Sequence, residues 1–392
     1  MKYTDLVRPN RLLHVPRIGV DRVGDEADAA RDPSILRLEN MDTDLRPPEA
    51  ALAATRRAID EDAANSYLPF HGHHELRSAA AAHVTKLSGR PYDRAIITAG
   101  GCSGILNVLL ATVDTGDEVI LTDPVYVGLL NRVRMAGGEP KLVPLRAESS
   151  GWRLDIQVLR RAASDKTRVV LMVSPSLPSG LVLNREEWDA VAEVCQSRGA
   201  WLIYDAAMER ILYDGCAHIH PASLSGMEER TITVGCATKE YRMIGWRVGW
   251  VVGPRELMDD IALVSISNVV CPVGIAQAAA AAALTAPGDG VAESTAEWQR
   301  RRDLLMHEFD GLPVIPANGG WSLLMDVSKL GLDSATASRR LMDVGGIAAT
   351  PMVNWGSAEA DRYVRFVFSN EPCHRLVGIG ERARRSLTPS GT

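Results

Sequence analysis

The sequence predicts an α/β protein whose central part is a mostly parallel β-sheet covered by helices. Its strand candidates are the runs AIIT (95–98), EVILT (118–122), RVVLMV (168–173), WLIYD (201–205), TITVG (231–235) and VGWVVG (248–253). Longer helix-like segments separate these runs, which is the alternation typical of a sheet with helices on its faces. Polar or glycine-rich segments follow several of the runs directly. Because ligands of open α/β sheets bind beyond the carboxyl ends of the strands, we expect the functional site in these segments.

The two ends of the chain predict a second, smaller unit of the α+β class. Three strand candidates lie in the last part of the chain, in GGWSLLMDV (319–327), GGIAATPM (345–352) and RYVRFVFS (362–369). These strands need partners of their own. We therefore predict a large domain at residues 46–285 and a small domain built from residues 1–45 and 286–392.

The composition is that of an ordinary folded protein. The chain has 392 residues, of which 46% are hydrophobic and 23% charged, and its formal net charge is −6. This balance gives no general electrostatic reason to bind nucleic acid or an anionic membrane. No apolar run reaches the ~18–20 residues that cross a bilayer, and the N-terminal segment lacks the apolar core of a secretory signal. The six cysteines form no CxxC pair, so we expect no metal site, reduced thiols and a cytoplasmic protein.

Lysine is scarce, and one lysine has an informative position. Only six of the 43 basic residues are lysines. Lys239 follows a predicted strand in the segment GCATKEYRMIGWRVGW (235–250), and Arg247 comes eight residues later. A lysine at a strand end can form a Schiff base with an aldehyde cofactor, and a nearby arginine can bind a phosphate through two parallel hydrogen bonds. Taken alone such a lysine is more often a solvated surface residue, but the pair is what pyridoxal 5′-phosphate requires.

This segment resembles the lysine motif of fold-type-I pyridoxal-phosphate enzymes of aminotransferase class I/II. The resemblance continues in order from about Leu38 to Phe368. It implies a mostly parallel seven-stranded sheet in the large domain, pyridoxal 5′-phosphate as the cofactor and Lys239 as its Schiff-base partner and general acid/base. Tyr67, with Gly72 and the Glu-Leu-Arg sequence at 75–77, resembles the segment whose tyrosine reaches the cofactor phosphate of the neighbouring subunit. The resemblance therefore also implies a homodimer with shared active sites.

Further positions match the cofactor-binding residues of this family. In TAGGCSG (98–104), small residues expose backbone N–H groups at a helix N-terminus, where a phosphate is favoured. Asp205 would pair with the protonated pyridine nitrogen. This pairing keeps the ring cationic, so that the ring can act as an electron sink. The other expected cofactor-binding residues are Gly101, Cys102 and Ser103 at the phosphate, Tyr126 stacked on the ring, and Thr238 and Arg247 near the phosphate.

The resemblance also assigns residues to the substrate. Arg365 resembles the arginine that holds the α-carboxylate, a bidentate task that lysine performs less well. Trp321 and Met352 lie in segments that resemble those lining the substrate pocket, and would make it partly apolar. Two positions depart from the family. Where the family has an asparagine and a tyrosine that donate to the O3′ oxygen of the cofactor, this chain has Leu177 and Met208, which cannot donate.

The two departures bear on the reaction. With fewer ring contacts, the aminated cofactor would be held less firmly once it is no longer tied to Lys239. A simple transaminase must retain that form at every turnover. We therefore expect β-elimination (C–S cleavage) or decarboxylating oxidative deamination of a cysteine S-conjugate, as in the similar aminotransferase-like enzymes of actinobacterial natural-product pathways, which include lincosamide tailoring enzymes. An ordinary α-amino-acid:2-oxo-acid aminotransferase is the alternative, and a non-catalytic sensor domain of the same fold is a third reading.

Overall fold

The computed structural model describes residues 9–388 of the chain. The ends of the predicted small domain, at 1–8 and 389–392, lie outside these residues. The strands are β1 (Leu36–Leu38), β2 (Ile96–Thr98), β3 (Glu118–Asp123), β4 (Glu139–Glu148), β5 (Gly151–Leu154), β6 (Thr167–Val173), β7 (Trp201–Asp205), β8 (Thr231–Cys236), β9 (Gly249–Val252), β10 (Val314–Ile315), β11 (Ser322–Asp326), β12 (Ile347–Pro351) and β13 (Tyr363–Val367).

Fourteen α-helices lie within the described residues, and short 3-10 helices lie at Asp62–Asn65, Pro221–Ser223, Ile244–Trp246, Val327–Leu330 and Ala358–Arg362. The α-helices are α1 (Asn10–Leu13), α2 (Val20–Ala30), α3 (Glu49–Asp60), α4 (His74–Ser88), α5 (Gly101–Thr112), α6 (Val127–Met135), α7 (Ile156–Ala162), α8 (Arg185–Arg198), α9 (Arg255–Val269), α10 (Gly274–Thr285), α11 (Val291–Glu308), α12 (Ser334–Gly345), α13 (Cys373–Leu376) and α14 (Ile379–Leu387). Within residues 9–388, none of these helices combines the length and the apolar character needed to cross a membrane.

The large sheet has the order β2-β9-β8-β7-β6-β3-β4-β5. Pairing is parallel from β8 through β7, β6 and β3 to β4, and antiparallel where β9 pairs with β2 and β8. The six predicted runs all form strands here, and β4 completes the expected seven. An eighth, β5, extends the edge as an antiparallel hairpin partner of the far half of β4. The charges and two prolines of EPKLVPLRAE (139–148) made β4 hard to predict. Both prolines lie in residues 139–144, which pair with β3 alone because β5 pairs only with residues 145–148.

The second sheet joins the start of the chain to its end. Its order is β1-β12-β13-β11-β10. The three strand candidates of the C-terminal part form β11, β12 and β13, and β1 pairs in parallel with β12, so that Leu38 lies beside Ala349. Val23 and Ala27 of α2 pack on this sheet next to Ala348. The small unit is therefore built from both ends of the chain, while its boundaries at 45/46 and 285/286 stay predictions.

The segment before α2 lies on the large sheet's side of the molecule. Asn131 in α6 donates its side-chain N–H to the Pro16 carbonyl at 3.0 Å, and the indole N–H of Trp355 donates to the Ile18 carbonyl at 3.1 Å. Ile18 and Val20 pack against the core of the large sheet. These contacts hold the beginning of α2 over the space between the two sheets.

Behind β7 lies a buried group of histidines and carboxylates. The His83 and His218 rings each lie within 3.3 Å of one oxygen of the buried Glu209, and hydrogen bonds from these rings lower the pKa of Glu209 against the effect of burial. His220 accepts the Ala222 N–H at Nδ1 and is only 2% exposed. Burial lowers the pKa of His220 to about 4 from its ordinary 6.5. His220 is therefore neutral in the folded protein at neutral pH.

We expect His220 to make the folded state sensitive to acid. Between pH 6.5 and about 4, His220 is protonated in the unfolded chain but stays neutral in the folded chain. The free energy of unfolding is therefore highest above pH 6.5 and falls as the pH is lowered through this range. The loss should be on the order of 3 kcal/mol. Urea unfolding at pH 7 and pH 4 should show a smaller acid loss for His220→Asn than for the wild type. The exposed His307→Asn is the control, and parallel pH curves for wild type and His220→Asn would contradict the prediction.

Candidate functional site

A cavity of about 730 Å³ lies between the two sheets, at the carboxyl ends of β6, β7 and β8. This is the edge at which the sequence predicts a site. The structure brings most of the predicted site residues to this cavity: Gly101, Cys102, Tyr126, Leu177, Asp205, Met208, Thr238, Lys239, Arg247 and Arg365. A further wall of the cavity is formed by α2 and the segment that follows it, which the sequence analysis did not predict.

Lys239 lies three residues beyond the end of β8 and faces the cavity. Its Nζ donates a hydrogen bond to the Met41 carbonyl at 2.8 Å and lies 4.8 Å from the centroid of the Trp321 ring. Burial lowers the pKa of Lys239 to about 8, and the positive charge of Arg365 acts in the same direction. About a tenth of this amine is therefore unprotonated at pH 7, far more than for an ordinary lysine, and the unprotonated form is the nucleophile that condenses with an aldehyde.

The N-terminus of α5 and Arg247 form one concave, cationic corner of the cavity. Gly100 precedes α5 with φ of 82°, and a Cβ there would lie 2.7 Å from Arg247 Nη2. No side chain caps this twelve-residue helix, and its first turn contains no acidic residue. Arg247 Nη1 donates to the Ile244 carbonyl at 2.9 Å and lies 3.5 Å from Thr238 Oγ1. Free backbone N–H groups, a hydroxyl and a guanidinium together fit a phosphate.

Asp205 is a carboxylate at the cavity that lacks a cationic partner among the described residues. It ends β7 and accepts the Ala207 N–H at 3.1 Å, and within residues 9–388 it forms no ion pair. Burial raises the pKa of Asp205 to about 6, while Arg132 and Lys239 lower it. A cation that enters the cavity and pairs with this carboxylate would restore its charge. A pyridinium N–H has the required charge and donor, so the α5 N-terminus, Arg247 and Asp205 together fit pyridoxal 5′-phosphate.

Tyr126 supplies an aromatic wall. Its ring lies 5.6 Å from the Trp355 ring, and a Cβ on Gly128 would come within 2.5 Å of the Tyr126 ring. The glycine therefore makes room for the ring at the start of α6. Burial raises the pKa of the Tyr126 hydroxyl, so it stays protonated. A flat, fixed ring at this position could stack on a planar cofactor.

Arg365 reaches the cavity from β13 and is nearly fully buried. Its Nη2 donates to the Glu39 carbonyl at 2.5 Å and to Thr350 Oγ1 at 3.2 Å, and its guanidinium lies 4.6 Å from the centroid of the Trp355 ring. Its Nε has no partner among the described residues. Burial lowers the pKa of Arg365 to about 10, which leaves it cationic. A buried guanidinium with an unused N–H group fits a carboxylate of the substrate.

We expect Arg365→Lys to lower kcat/KM for amino acids by about 100-fold, mainly through KM, because lysine keeps the charge and loses the planar pair of donors. Steady-state kinetics and the change in the visible spectrum on binding measure this effect. Arg362→Lys is a matched control, since Arg362 pairs with Asp326 at 2.6 Å outside the cavity. An unchanged KM in Arg365→Lys would contradict the role.

Leu177 and Met208 both line the cavity, so the two apolar replacements face the site itself. The nearby Tyr204 hydroxyl donates to the Ser174 carbonyl at 3.1 Å and is fully buried. It is therefore engaged in the core of the large sheet.

The other predicted site residues lie outside the cavity lining. Trp321 and Met352 are fully buried, Trp321 beneath Lys239 and Met352 in the core of the large sheet. Ser103 follows Cys102 in the first turn of α5. Tyr67 is 82% exposed, in the loop between α3 and α4, where it faces solvent in the isolated chain.

Sequence reasoning missed the wall formed by α2 and residues 37–41. Asp21, Asp25 and Asp28 follow one another at helical spacing along α2 and line the cavity together with Arg37 and Glu39. Charged residues at this spacing usually mark a solvated helix face, so the pattern alone did not single them out. The missed signal was Glu39, a carboxylate directly after the apolar Leu38. Its side chain is only 1% exposed.

Comparison with known proteins gives a consistent result. The model of the family aminotransferase class I and II matches residues 35–377. Arginine–pyruvate transaminase AruH of Pseudomonas aeruginosa is 32% identical over 355 residues, which cover 88% of this chain and 89% of that protein. The aspartate aminotransferase of Rhizobium meliloti is 36% identical, over 71% of this chain and 69% of that protein. The solved structure of N-succinyldiaminopimelate aminotransferase from Mycobacterium tuberculosis superimposes with a TM-score of 0.90 at 29% identity, over 97% of this chain and 100% of that one.

Proposed function

Because this chain belongs to the aminotransferase class I and II family, we propose that it acts at the α-carbon of an amino acid with Lys239 as the central catalytic residue. It is a pyridoxal-phosphate-dependent, aminotransferase-like enzyme of fold type I. The single observation that carries the proposal is the position of Lys239. Its amine, with a pKa lowered to about 8, lies in one cavity with the Asp205 carboxylate, the α5 N-terminus and the Arg365 guanidinium.

Each of these residues has a separate task in the proposed mechanism. When bound, pyridoxal phosphate supplies an aldehyde for condensation with amines and a ring that takes up the charge left at the α-carbon. Arg247, Thr238 and the N–H groups of Gly101 and Cys102 would bind the phosphate. Asp205 would hold a proton at the ring nitrogen. Arg365 would bind the α-carboxylate, and the Lys239 amine would remove the α-proton as general base and return it as general acid.

We further propose that the substrate is a cysteine S-conjugate and that the reaction is not transamination but β-elimination or decarboxylating oxidative deamination. Leu177 and Met208 support this, because neither can donate a hydrogen bond to the O3′ oxygen, and such bonds to a charged oxygen are worth ~1.5–3 kcal/mol each. In β-elimination the α C–H and the Cβ–S bonds break, the proton passes to Lys239 and the sulfur leaves with the electron pair. Conjugate and water then give a thiol, pyruvate and ammonium.

The second diverted branch is decarboxylating oxidative deamination, which requires dioxygen as oxidant. The conjugate, dioxygen and water give an aldehyde one carbon shorter, carbon dioxide, ammonia and hydrogen peroxide. Either branch would suit a tailoring step in natural-product or antibiotic biosynthesis. A cytoplasmic location is part of the proposal, and the six cysteines, none of which forms a disulfide, support it.

Ordinary transamination between an α-amino acid and a 2-oxo acid is the second candidate. The names of similar proteins support it, since these are arginine–pyruvate, aspartate and kynurenine–oxoglutarate transaminases. In that case the amino group passes to a 2-oxo acid, and the enzyme retains the aminated cofactor between the two half-reactions.

The products distinguish the three branches. The holoenzyme is incubated with amino acids and cysteine thioethers, with and without pyruvate or 2-oxoglutarate. Thiol with pyruvate indicates elimination, aldehyde with peroxide indicates oxidative deamination, and a new amino acid indicates transamination. Leu177→Asn restores one donor and should increase the transamination share if the missing donors direct the branch. Absence of all products with every substrate would contradict the proposed function.

We also propose a homodimer with shared sites. Tyr67 and Phe70 are exposed on the loop between α3 and α4, and Val270 and Val273 are exposed between α9 and α10. The two segments are adjacent, since a Cβ on Gly274 would lie 2.2 Å from the Ala64 carbonyl oxygen. An apolar patch of this kind is typical of an interface between subunits. Sedimentation of the wild type should give a dimer and that of Val273→Asp a larger monomer fraction, and a monomeric wild type would contradict the proposal.

A further inference from the structure

The residues that line the cavity form two groups of opposite net charge, which we call its inner and outer ends, and the two groups meet where Arg365 donates to the Glu39 carbonyl. Its inner end contains the cationic Lys239, Arg247 and Arg365 with one carboxylate, Asp205. Its outer end is lined by four carboxylates and two guanidinium groups, an excess of two negative charges. These residues are Asp21, Asp25, Asp28 and Glu39, with Arg17 and Arg37. A ligand that fits both ends is anionic at its α-carboxylate and cationic at its far end.

Glu39 is the buried carboxylate of the outer end. It is 1% exposed and lines the cavity, and its Oε1 accepts from Arg37 Nε at 2.8 Å and lies 2.7 Å from Arg37 Nη2. Its other oxygen, Oε2, has no hydrogen-bond partner among residues 9–388. A buried carboxylate oxygen without a donor is costly, and a donor supplied by a ligand removes that cost.

The arginine beside Glu39 is already neutralised. Arg37 Nη1 donates to Asp28 Oδ1 at 2.6 Å, so two carboxylates share one guanidinium. Asp21 and Asp25 form no ion pair within the described part of the chain and add further negative charge. Gly24 lies between them, and a Cβ there would be 3.8 Å from Glu39 Oε1, so α2 packs close to this carboxylate. Arg37 therefore does not cancel the attraction of this end for a cation.

We propose that the α2 face and Glu39 bind a cationic group, an ammonium or guanidinium, at the distal end of the substrate. This inference rests on the proposed function, since it takes Arg365 and Lys239 as the inner end of the substrate site. The enzyme then selects amino acids and S-conjugates with a positively charged side-chain terminus. It discriminates against a second carboxylate, which four carboxylates repel.

Three cysteine thioethers of matched length test the inference. They are S-(2-aminoethyl)-L-cysteine, S-propyl-L-cysteine and S-(2-carboxyethyl)-L-cysteine, which place a cation, a methyl group or a carboxylate at the same distance from the α-carbon. Their dissociation constants are measured on the holoenzyme from the visible spectrum and by calorimetry. We expect the cation to bind about tenfold more tightly than the neutral analogue or better, and the anion to bind most weakly.

Glu39→Gln separates a charge effect from a structural one. Glutamine keeps the shape and an oxygen for Arg37, so binding of the neutral analogue should change little while the preference for the cation disappears. Glu26→Gln is the matched control, because Glu26 lies on the outer face of α2 and pairs with Arg22 at 3.2 Å. An equal loss for all three analogues, or an undiminished cation preference in Glu39→Gln, would overturn the inference.

L-Alanine separates this inference from the proposed function. If alanine changes the visible spectrum and the wild type shows no preference among the three thioethers, the distal site is wrong and the proposed function stands. If neither alanine nor any thioether changes the spectrum or binds, the proposed function and the distal site are both overturned.

Discussion

Substitution of Lys239 by alanine is expected to abolish covalent attachment of pyridoxal phosphate and to lower turnover by ~10²–10⁴-fold through the loss of proton transfer alone. In the proposed mechanism this amine is the Schiff-base partner and the base for the α-proton, and no other lysine lines the cavity among the described residues. Borohydride reduction followed by mass spectrometry should find the cofactor on the peptide that contains position 239 in the wild type and on no peptide of the variant.

A second measurement uses the lowered pKa of Lys239, about 8. Since the neutral amine is the reactive form, the rate at which the apoprotein takes up the cofactor should rise with pH up to about 8 and level off above it. The exposed Lys329→Ala is the control and should behave as wild type. An adduct at another lysine, or full activity in Lys239→Ala, would show that the assignment is wrong.

Asp205→Asn is expected to lower kcat by ~10²–10³-fold, the effect of removing a preorganised electrostatic partner from a water-poor site. Asparagine can still accept the Ala207 N–H, so the fold of the turn should persist while the charge is lost. The cofactor should also dialyse away faster, because the carboxylate no longer pairs with its ring nitrogen. Kinetics and cofactor content after dialysis measure the two effects.

The control for Asp205 is Asp165→Asn, a highly exposed carboxylate paired with Arg198 at 2.9 Å. It should leave both measurements unchanged. If Asp205→Asn retained wild-type kcat while its cofactor content also stayed normal, the charge at this position would have no part in the chemistry.

The large sheet and the inner part of the cavity follow from sequence patterns. Strands buried on both faces are nearly continuous apolar runs, so β3, β6, β7 and β8 stand out, and the polar residues directly after them mark the ligand edge. That is why Asp205 and Lys239 could be assigned a place before any coordinates. Strands of mixed polarity at or next to the sheet edge, such as β5 and β4, carry no such pattern.

The outer part of the cavity could not be predicted in this way. α2 is distant in sequence from β7 and β8, and only its packing on β12 turns the stripe with Asp21, Asp25 and Asp28 toward Lys239. Likewise, the burial of Glu39 depends on pairing between β1 and β12, which are far apart in the chain. Local patterns do not encode such long-range neighbours.

The pairing of β1 with β12 also has a consequence for biosynthesis. Leu36–Leu38 is translated before the large sheet, but its partner Ile347–Pro351 is translated only after the whole large sheet. At ~5–20 residues per second this delay is on the order of tens of seconds. Throughout that time the apolar side chains of Leu36 and Leu38 lack their native cover.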